Sequence, residues 1–239
     1  MNGSLICARY SFAPNFFEYC GPDKNKQLKS HLDVGVSDFQ LTSILSHFTT
    51  LYSYLKSIAH SNNIVDPFDE RVVEAYWIGN SLLENMREKQ IYNELKEGQK
   101  LKKKIPKRYL KWLWPKIDKK ARLHHSFHVF NVFVRTGHQH IPHTVETMNQ
   151  CRIGWGEVLQ VKSNYLTLKS QRLIYHDGAL QIKDNIKLSI QKAFKGPVIK
   201  KNDRVSYHWG FFCDKISKNQ ARNLEYYTKF HLNLANETL

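Results

Sequence analysis

The chain has 239 residues, of which 41% are hydrophobic and 24% charged, and its 36 Lys+Arg against 21 Asp+Glu give a formal net charge of +15. This composition is that of a globular protein, so wholesale disorder is excluded. No apolar run approaches the roughly 20 residues of a membrane-spanning helix, and the first residues lack the basic start and apolar segment of a signal peptide. We therefore expect a cytoplasmic protein whose cysteines are thiols.

The first part of the sequence has the pattern of helices. The run SDFQ at 37–40 has the spacing of a capping box, and apolar residues then recur every three or four positions, which predicts a helix to about residue 60. Asp66 followed by Pro67 predicts the start of a second helix. A basic helix is expected through Leu110 and Leu113, until Pro115 ends it.

The later sequence has the pattern of strands. The run FHVFNVFV at 127–134 predicts a largely buried strand, and a short helix is expected at 142–150. Further strands are predicted at 157–161, 165–169, 172–175, 179–182, 186–190 and 204–212. The run HDG at 176–178 is a hairpin signal, and Ser217 with Gln220 predicts the capped start of a last helix.

This order of elements predicts an α+β protein. A mainly helical domain of unknown role is expected at 1–145. A small antiparallel β-barrel of the OB type, followed by a C-terminal helix, is expected at 146–239 because several short strands follow each other closely there.

The positive charge is concentrated in one segment. Residues 96–122 contain ten Lys and two Arg against Glu97 and Asp118, a net charge of +10, which leaves +5 for the rest of the chain. Basic side chains interleaved with aromatic ones suit a nucleic acid, because they combine phosphate contacts with base stacking. An RNA- or DNA-binding module is therefore one hypothesis, with these contact residues: Lys103, Lys104, Lys107, Arg108 and Trp112. A solvated basic helix face is the alternative.

The four cysteines, at positions 7, 20, 151 and 213, form no C-x-x-C pair, so a role for any of them requires a partner distant in sequence. The stretch from Cys151 reads CRIGWGEV, and residues 202–216 read NDRVSYHWGFFCDKI before the last helix. Together these resemble the HypC/HybG-type chaperones of nickel–iron hydrogenase maturation. Their pattern is Cys-x-x-x-Pro-Gly-x-Val, a β-barrel, Gly-Asp-x-Val-x-x-His-x-Gly-Phe-Ala and a helix. Here Trp155 stands in place of the proline.

That resemblance implies a non-enzymatic accessory protein. The family's cysteine falls on Cys151 and its histidine on His208, so these two residues would hold iron, carried transiently, for delivery to a hydrogenase. The implied partners are a hydrogenase maturation protein or the hydrogenase large subunit. A partner would dock at the neighbouring edge, formed by Trp155, Gly156, Trp209 and Gly210. No membrane contact is expected.

A second resemblance runs along the whole chain. Its marks are ARYSFAPN at 8–15, YCGP at 19–22, DPFD at 66–69 with RVVEAYW at 71–77, and HHSFHVF at 124–130. These are similar to an uncharacterised prokaryotic family, which implies that the helical part and the barrel form one recurrent unit but brings no activity with it.

Two weaker hypotheses concern other chemistry. His124 and His128 are four residues apart, the spacing of two ligands on one face, and Cys20 could join them in a metal site. A Cys-dependent hydrolase would use Cys151 and His208 as nucleophile and base, with Asp203 or Asp214 orienting the base. The nucleotide-binding, zinc-protease and serine-hydrolase motifs are absent from the sequence.

Overall fold

The first part of the chain is helical, as expected. The structure, a computed structural model, describes residues 2–104, 107–132 and 142–239. Five helices come first: Gly3–Phe16, Asn25–Val34, Phe39–Ser46, Thr49–Ser61 and Glu70–Trp77. Shorter elements follow: a 3-10 turn Ser81–Leu83, helix Glu88–Asn93, π-helix Glu94–Gly98, and helices Leu101–Lys104 and Lys107–Asp118.

The helix predicted from 37 to about 60 is two helices. It begins with Asp38 as its cap rather than Ser37, since the Asp38 carboxylate accepts from the backbone N–H of Leu41 at 2.9 Å. It breaks at His47 because the side chains of Ser46 and His47 both contact the Ser43 carbonyl, each at 2.7 Å. Such local side-chain bonds compete with the helical ladder.

Two further boundaries differ from the prediction. The next helix is capped by Asp69, whereas Asp66 accepts from the N–H of Phe68 at 2.8 Å in the turn before it. Helix Lys107–Asp118 continues through Pro115 to Asp118. Leu113 and Ile117 are buried on either side of the proline, so packing outweighs its missing donor.

The strand predicted at 127–134 is wrong for the residues that the structure describes. A short helix, His125–Phe127, runs directly into the π-helix His128–Val132, and all of these residues are buried. A short apolar run buried on every side has no period that separates strand from helix, so the sequence could not decide between them.

Five strands follow the helix Val145–Cys151: β1 Gly154–Val161, β2 Tyr165–His176, β3 Ala179–Gln191, β4 Arg204–His208 and β5 Phe211–Lys215. They are hydrogen-bonded in the order β1-β2-β3-β5-β4, and β4 pairs back to β1, so the sheet forms a ring. All pairs are antiparallel except β3 with β5, which meet in parallel at Gln191 and Phe211.

Several predicted strands merge or divide. Segments 165–169 and 172–175 are one strand with a bulge between Ser170 and Arg172, and 179–182 and 186–190 are likewise one strand. Segment 204–212 divides at a turn formed by Trp209 and Gly210. The hairpin signal is confirmed: Asp177 and Gly178 both have positive φ, the conformation of a two-residue hairpin turn.

The last helix, Lys218–Asn236, begins as predicted at a capping box of Ser217 and Gln220. The fold is thus a mixed α+β structure, and none of its described helices is long and apolar enough to cross a membrane. One hydrophobic core includes side chains from the helices and from the strand ring. Tyr10 of the first helix shares a 2.8 Å hydrogen bond with Ser206, and Arg9 forms a 2.8 Å ion pair with Asp214. The boundary near residue 145 stays a prediction.

Candidate metal centre

One thiol and two imidazoles meet where the helices contact the strand ring. Potential ligand atoms of His125, Cys151 and His208 all lie within 4.8 Å of one another. The sequence predicted the meeting of Cys151 and His208, and His125 joins them as a third group that it missed. The His208 ring is hydrogen-bonded to the backbone carbonyl of Tyr10, and the His125 ring is hydrogen-bonded to the backbone carbonyl of Cys151.

His208 presents a free ring nitrogen. It ends β4, and its Nδ1 donates to the carbonyl of Tyr10 at 2.7 Å. A neutral imidazole that donates from Nδ1 carries its lone pair on Nε2. That Nε2 is buried and forms no hydrogen bond of good geometry among the described residues, although the Cys151 backbone lies close enough to the ring to raise its pKa. Burial lowers the pKa of His208 to about 4, so the ring is neutral at pH 7, the form that binds metal ions.

Cys151 is the last residue of the helix Val145–Cys151. Burial raises the pKa of its thiol to about 12, and the nearby Trp209 indole N–H offsets this only in part. The thiol is therefore protonated at neutral pH unless a metal ion replaces the proton.

His125 is bonded at both ring nitrogens. Nε2 donates to the Cys151 carbonyl at 2.8 Å, and Nδ1 lies 3.1 Å from the Tyr76 hydroxyl. Burial holds the pKa of His125 well below its usual value, so this ring is neutral too. Ligation by His125 requires one of the two bonds to open. Ligation through Nε2 would release the Cys151 carbonyl, and Nδ1–H would then donate to the Tyr76 hydroxyl, which keeps the ring in place; ligation through Nδ1 would displace that hydroxyl.

The turn between β4 and β5 fixes the position of His208 relative to Cys151. Trp209 and Gly210 have φ of +49° and +75°, a conformation that is uncommon for a bulky side chain such as Trp209. The backbone N–H of Trp209 donates to the Gln150 carbonyl at 2.9 Å, which joins the turn to the helix end at Cys151. The Trp209 ring lies against Tyr19, with centroids 4.7 Å apart.

These groups border a cavity of about 60 Å³. Its wall is mainly apolar and aromatic, with Pro14, Phe48, Leu51, Tyr76, Trp77 and Trp209. Cys20 and His128 also line it. Trp77 packs on both histidines, with ring centroids 4.6 Å from His125 and 5.7 Å from His208. The volume admits an ion and at most one or two atoms the size of a water oxygen.

The residues present fit a transition-metal ion. One thiolate and two neutral imidazoles are ligands that Zn²⁺, iron and copper accept, whereas Mg²⁺ and Ca²⁺ prefer oxygen. Among the described residues that line the cavity, the buried side-chain polar atoms without a hydrogen-bond partner are His208 Nε2, Ser11 Oγ and the indole nitrogens of Trp77 and Trp209. Of these, the imidazole nitrogen is the usual ligand of a transition-metal ion. The other ring nitrogen of His208 is fixed by the Tyr10 carbonyl, the arrangement common among metal-binding histidines.

The weaker predicted metal site, formed by Cys20, His124 and His128, does not assemble as expected. Cys20 and His128 line the cavity, but His124 is not among its lining residues. His124 contacts Ser126 at 2.7 Å and stacks on Tyr227 instead. A strand would have put His124 and His128 on one face and His125 on the other. The helical backbone turns His125 toward Cys151. Only a correct prediction of helix rather than strand for this segment could therefore have identified His125 as a site residue.

The predicted docking edge is divided. Trp209 lines the cavity, whereas Trp155 borders a separate depression with Glu157 and Lys169. Gly156 is needed by the sheet itself, because a Cβ there would lie 2.7 Å from the Lys169 carbonyl oxygen on β2. Gly210 has open space around its Cα and serves the turn.

The two acids considered as orienting groups are engaged elsewhere. Asp214 pairs with Arg9, and Asp203 forms a 2.8 Å ion pair with Lys215. Neither lines the cavity. Since burial also keeps the thiol and the imidazoles neutral, the arrangement does not favour a thiolate nucleophile.

Part of the basic segment is described. Trp112 is 43% exposed on helix Lys107–Asp118, and Lys103 is exposed. The side chains of Lys104, Lys107 and Arg108 lie outside the described part of the structure. The nucleic-acid hypothesis therefore stays a prediction.

Comparison with known proteins identifies a family but no activity. Neither a curated protein nor a solved structure matches the chain, so the likeness to HypC/HybG-type chaperones has no support from these comparisons. A family model described as a family of unknown function, DUF6390, matches residues 1–239. The expected full-length relation to an uncharacterised family is thereby confirmed, and the chain belongs to the DUF6390 family.

Proposed function

We propose that this protein is a non-enzymatic accessory protein of metal-centre assembly, which holds a transition-metal ion through Cys151, His208 and His125. The observation that carries the proposal is that one potential ligand atom from each of the three residues lies within 4.8 Å of the other two, with Nε2 of His208 buried and without a hydrogen-bond partner among the described residues. Ligand bonds of roughly 2.0–2.3 Å to one central ion are compatible with such separations.

The three residues do not by themselves close a four-coordinate site. Structural zinc sites are closed by four protein ligands, whereas three leave a coordination position open. His208 is oriented before the ion arrives because the Tyr10 carbonyl fixes its Nδ1, whereas His125 must give up one of its two hydrogen bonds to ligate. When bound, the ion would supply the Lewis-acid or redox chemistry of the centre being assembled.

Iron and a hydrogenase maturation partner are the more specific part of the proposal. They rest on the resemblance of the segments around Cys151 and His208 to HypC/HybG-type chaperones. The ring of five strands followed by a capped helix agrees with an OB-like barrel of that kind. Exposed Phe16 and Phe17 lie beside Trp209 and Phe211, which gives a partner an aromatic surface near the site.

Metal titration of the full chain tests the site. Under anaerobic conditions we expect Fe²⁺, and Co²⁺ as a spectroscopic substitute, to bind one ion per chain with thiolate charge-transfer absorption. Cys151→Ala and His208→Ala should abolish this signal, while Cys213→Ala, which alters a buried thiol outside the cavity, should leave it intact. A wild-type protein that binds neither ion would refute the proposal.

Affinity capture from native cells tests the assembly role. A tagged wild-type chain is expected to recover a hydrogenase maturation protein or a hydrogenase subunit, and Phe17→Ser to recover less. Recovery of neither by the wild type would argue against the hydrogenase-specific part and leave metal binding to be judged by titration.

The nucleic-acid alternative makes a separate prediction. Binding through the basic segment should weaken steeply between 50 and 200 mM salt, as expected when phosphate contacts release counterions. Trp112→Ala should reduce it further by removing a stacking surface. Weak, salt-insensitive binding of oligonucleotides would eliminate this hypothesis.

A further inference from the structure

We propose that Cys20 supplies a second thiolate to a divalent ion held by Cys151, His125 and His208, and so completes a neutral four-ligand site. This inference rests on the proposed function. It adds that a divalent ion requires Cys20 as a fourth ligand, whereas a monovalent ion does not. Three features support Cys20 as the fourth ligand: its position on the cavity wall, the charge balance of the cavity and its place outside regular secondary structure.

Cys20 lines the same cavity as the three groups. It lies in the connection between helices Gly3–Phe16 and Asn25–Val34, where its N–H donates to the Pro14 carbonyl at 3.2 Å and its carbonyl accepts from Asn15 at 2.9 Å. Its neighbour Tyr19 packs on Trp209.

Charge balance requires a second anion for a divalent ion. A divalent ion with one thiolate and two neutral imidazoles has a net charge of +1, which an apolar cavity disfavours strongly. None of the described residues that line this cavity is an Asp or Glu. Cys20 is the remaining thiol on its wall, and its deprotonation brings the net charge to zero. Each thiol proton leaves to solvent as the metal–sulfur bond forms.

Cys20 must move to reach the ion. It is not one of the three groups whose ligand atoms lie within 4.8 Å of each other. Those three are held in regular secondary structure or at its end, whereas Cys20 is carried by a connecting segment and is only half-buried. Binding of a divalent ion is therefore expected to draw this connection inward over the cavity.

His128 is the competing fourth ligand. It also lines the cavity, and its Nδ1 lies 3.3 Å from the Tyr54 hydroxyl. A neutral imidazole would fill the coordination sphere but leave the net charge at +1, so the charge argument favours Cys20.

Co²⁺ titration of the full chain tests the inference through absorption and affinity. The thiolate-to-cobalt absorption of Cys20→Ser is expected to be about half that of the wild type, with one thiolate lost of two. Its Co²⁺ affinity should fall at least about tenfold, since even outer-shell changes cost that much. Cys213→Ala and His128→Asn should match the wild type in both measurements. Circular dichroism establishes that each variant is folded.

Cu(I) provides an internal control. A monovalent ion is neutralised by Cys151 alone, so Cys20→Ser should bind Cu(I) within about twofold of the wild type in competition with a chelator. Absorption and affinity for Co²⁺ that are unchanged in Cys20→Ser would overturn the inference but leave the proposed site standing. A loss in His128→Asn instead would assign the fourth position to His128. Absence of both Co²⁺ and Fe²⁺ binding by the wild type would refute the proposed function itself.

Discussion

Acidification should destabilise the metal-free protein through its buried histidines, and His124 allows this to be measured at one position. Burial lowers the pKa of His124 to about 3, whereas an unfolded histidine titrates near 6.5. The unfolded state therefore takes up the proton first as pH falls. The contribution to stability is complete above about pH 6.5 and is lost progressively between there and pH 3.

The magnitude follows from the two pKa values. Between pH 7 and pH 5 the unfolded His124 becomes almost fully protonated while the folded one stays neutral. About 1.5 pH units at about 1.36 kcal/mol each give a loss of about 2 kcal/mol. His208, with a pKa of about 4, gives a similar loss of stability over this pH range. His125 and His231 add to the loss because burial lowers their pKa values too. The sum is a large part of a typical total stability of roughly 5–15 kcal/mol.

Urea unfolding at pH 7 and pH 5, followed by tryptophan fluorescence, measures the loss. His124→Asn removes the titrating group but keeps an oxygen that can accept from the N–H of Ser126, as Nδ1 does at 3.1 Å. The loss in free energy of unfolding between pH 7 and pH 5 should be about 2 kcal/mol smaller in this variant than in the wild type. His60→Asn, at an exposed position, should leave it unchanged. Equal pH dependence in His124→Asn and the wild type would refute the reasoning.

Three other changes have defined outcomes. Tyr76→Phe should weaken metal affinity about 10- to 100-fold by removing the hydroxyl beside His125, with Cys213→Ala as the unaffected control in the same titration. Gly156→Ala should destabilise the fold by about 1–3 kcal/mol, because its Cβ would meet the Lys169 carbonyl, and an unchanged urea midpoint would contradict that contact. Ser217→Ala should lower the free energy of unfolding by about 1 kcal/mol, because the N-cap hydrogen bond is lost. Ser217→Asp should retain most of that stability in the same unfolding assay.

Local signals in the sequence predicted the elements that local interactions define. The capping box at Ser217 and the turn at Asp177 and Gly178 depend on a few neighbouring residues, and both were confirmed. The length of β2 was missed because the bulge after Ser170 interrupts the alternation of its side chains. The segment after His125 was misassigned because every side chain in it is buried, whatever its backbone conformation.

The site was predicted only in part, because some of its residues are identified by local motifs and others only by the way the chain folds. Cys151 and His208 were identified by motifs on either side of the strands, and the pairing of β1 with β4 together with the turn after His208 brings them together. His125 comes from another part of the chain, and its orientation depends on a helical segment that the pattern did not reveal. The Tyr10 carbonyl that fixes the His208 tautomer is a backbone group, so no residue type in the sequence points to it.

The order of the three groups along the chain has a consequence for biosynthesis. His125, Cys151 and His208 are separated by many residues, and the turn that holds His208 forms only when β4 can pair with β5. A nascent chain on the ribosome cannot form the pocket until residues through Lys215 have emerged, because β5 ends there. Loading with an ion must therefore follow the emergence of β5, and a premature stop before residue 208 leaves a product without the capacity for it.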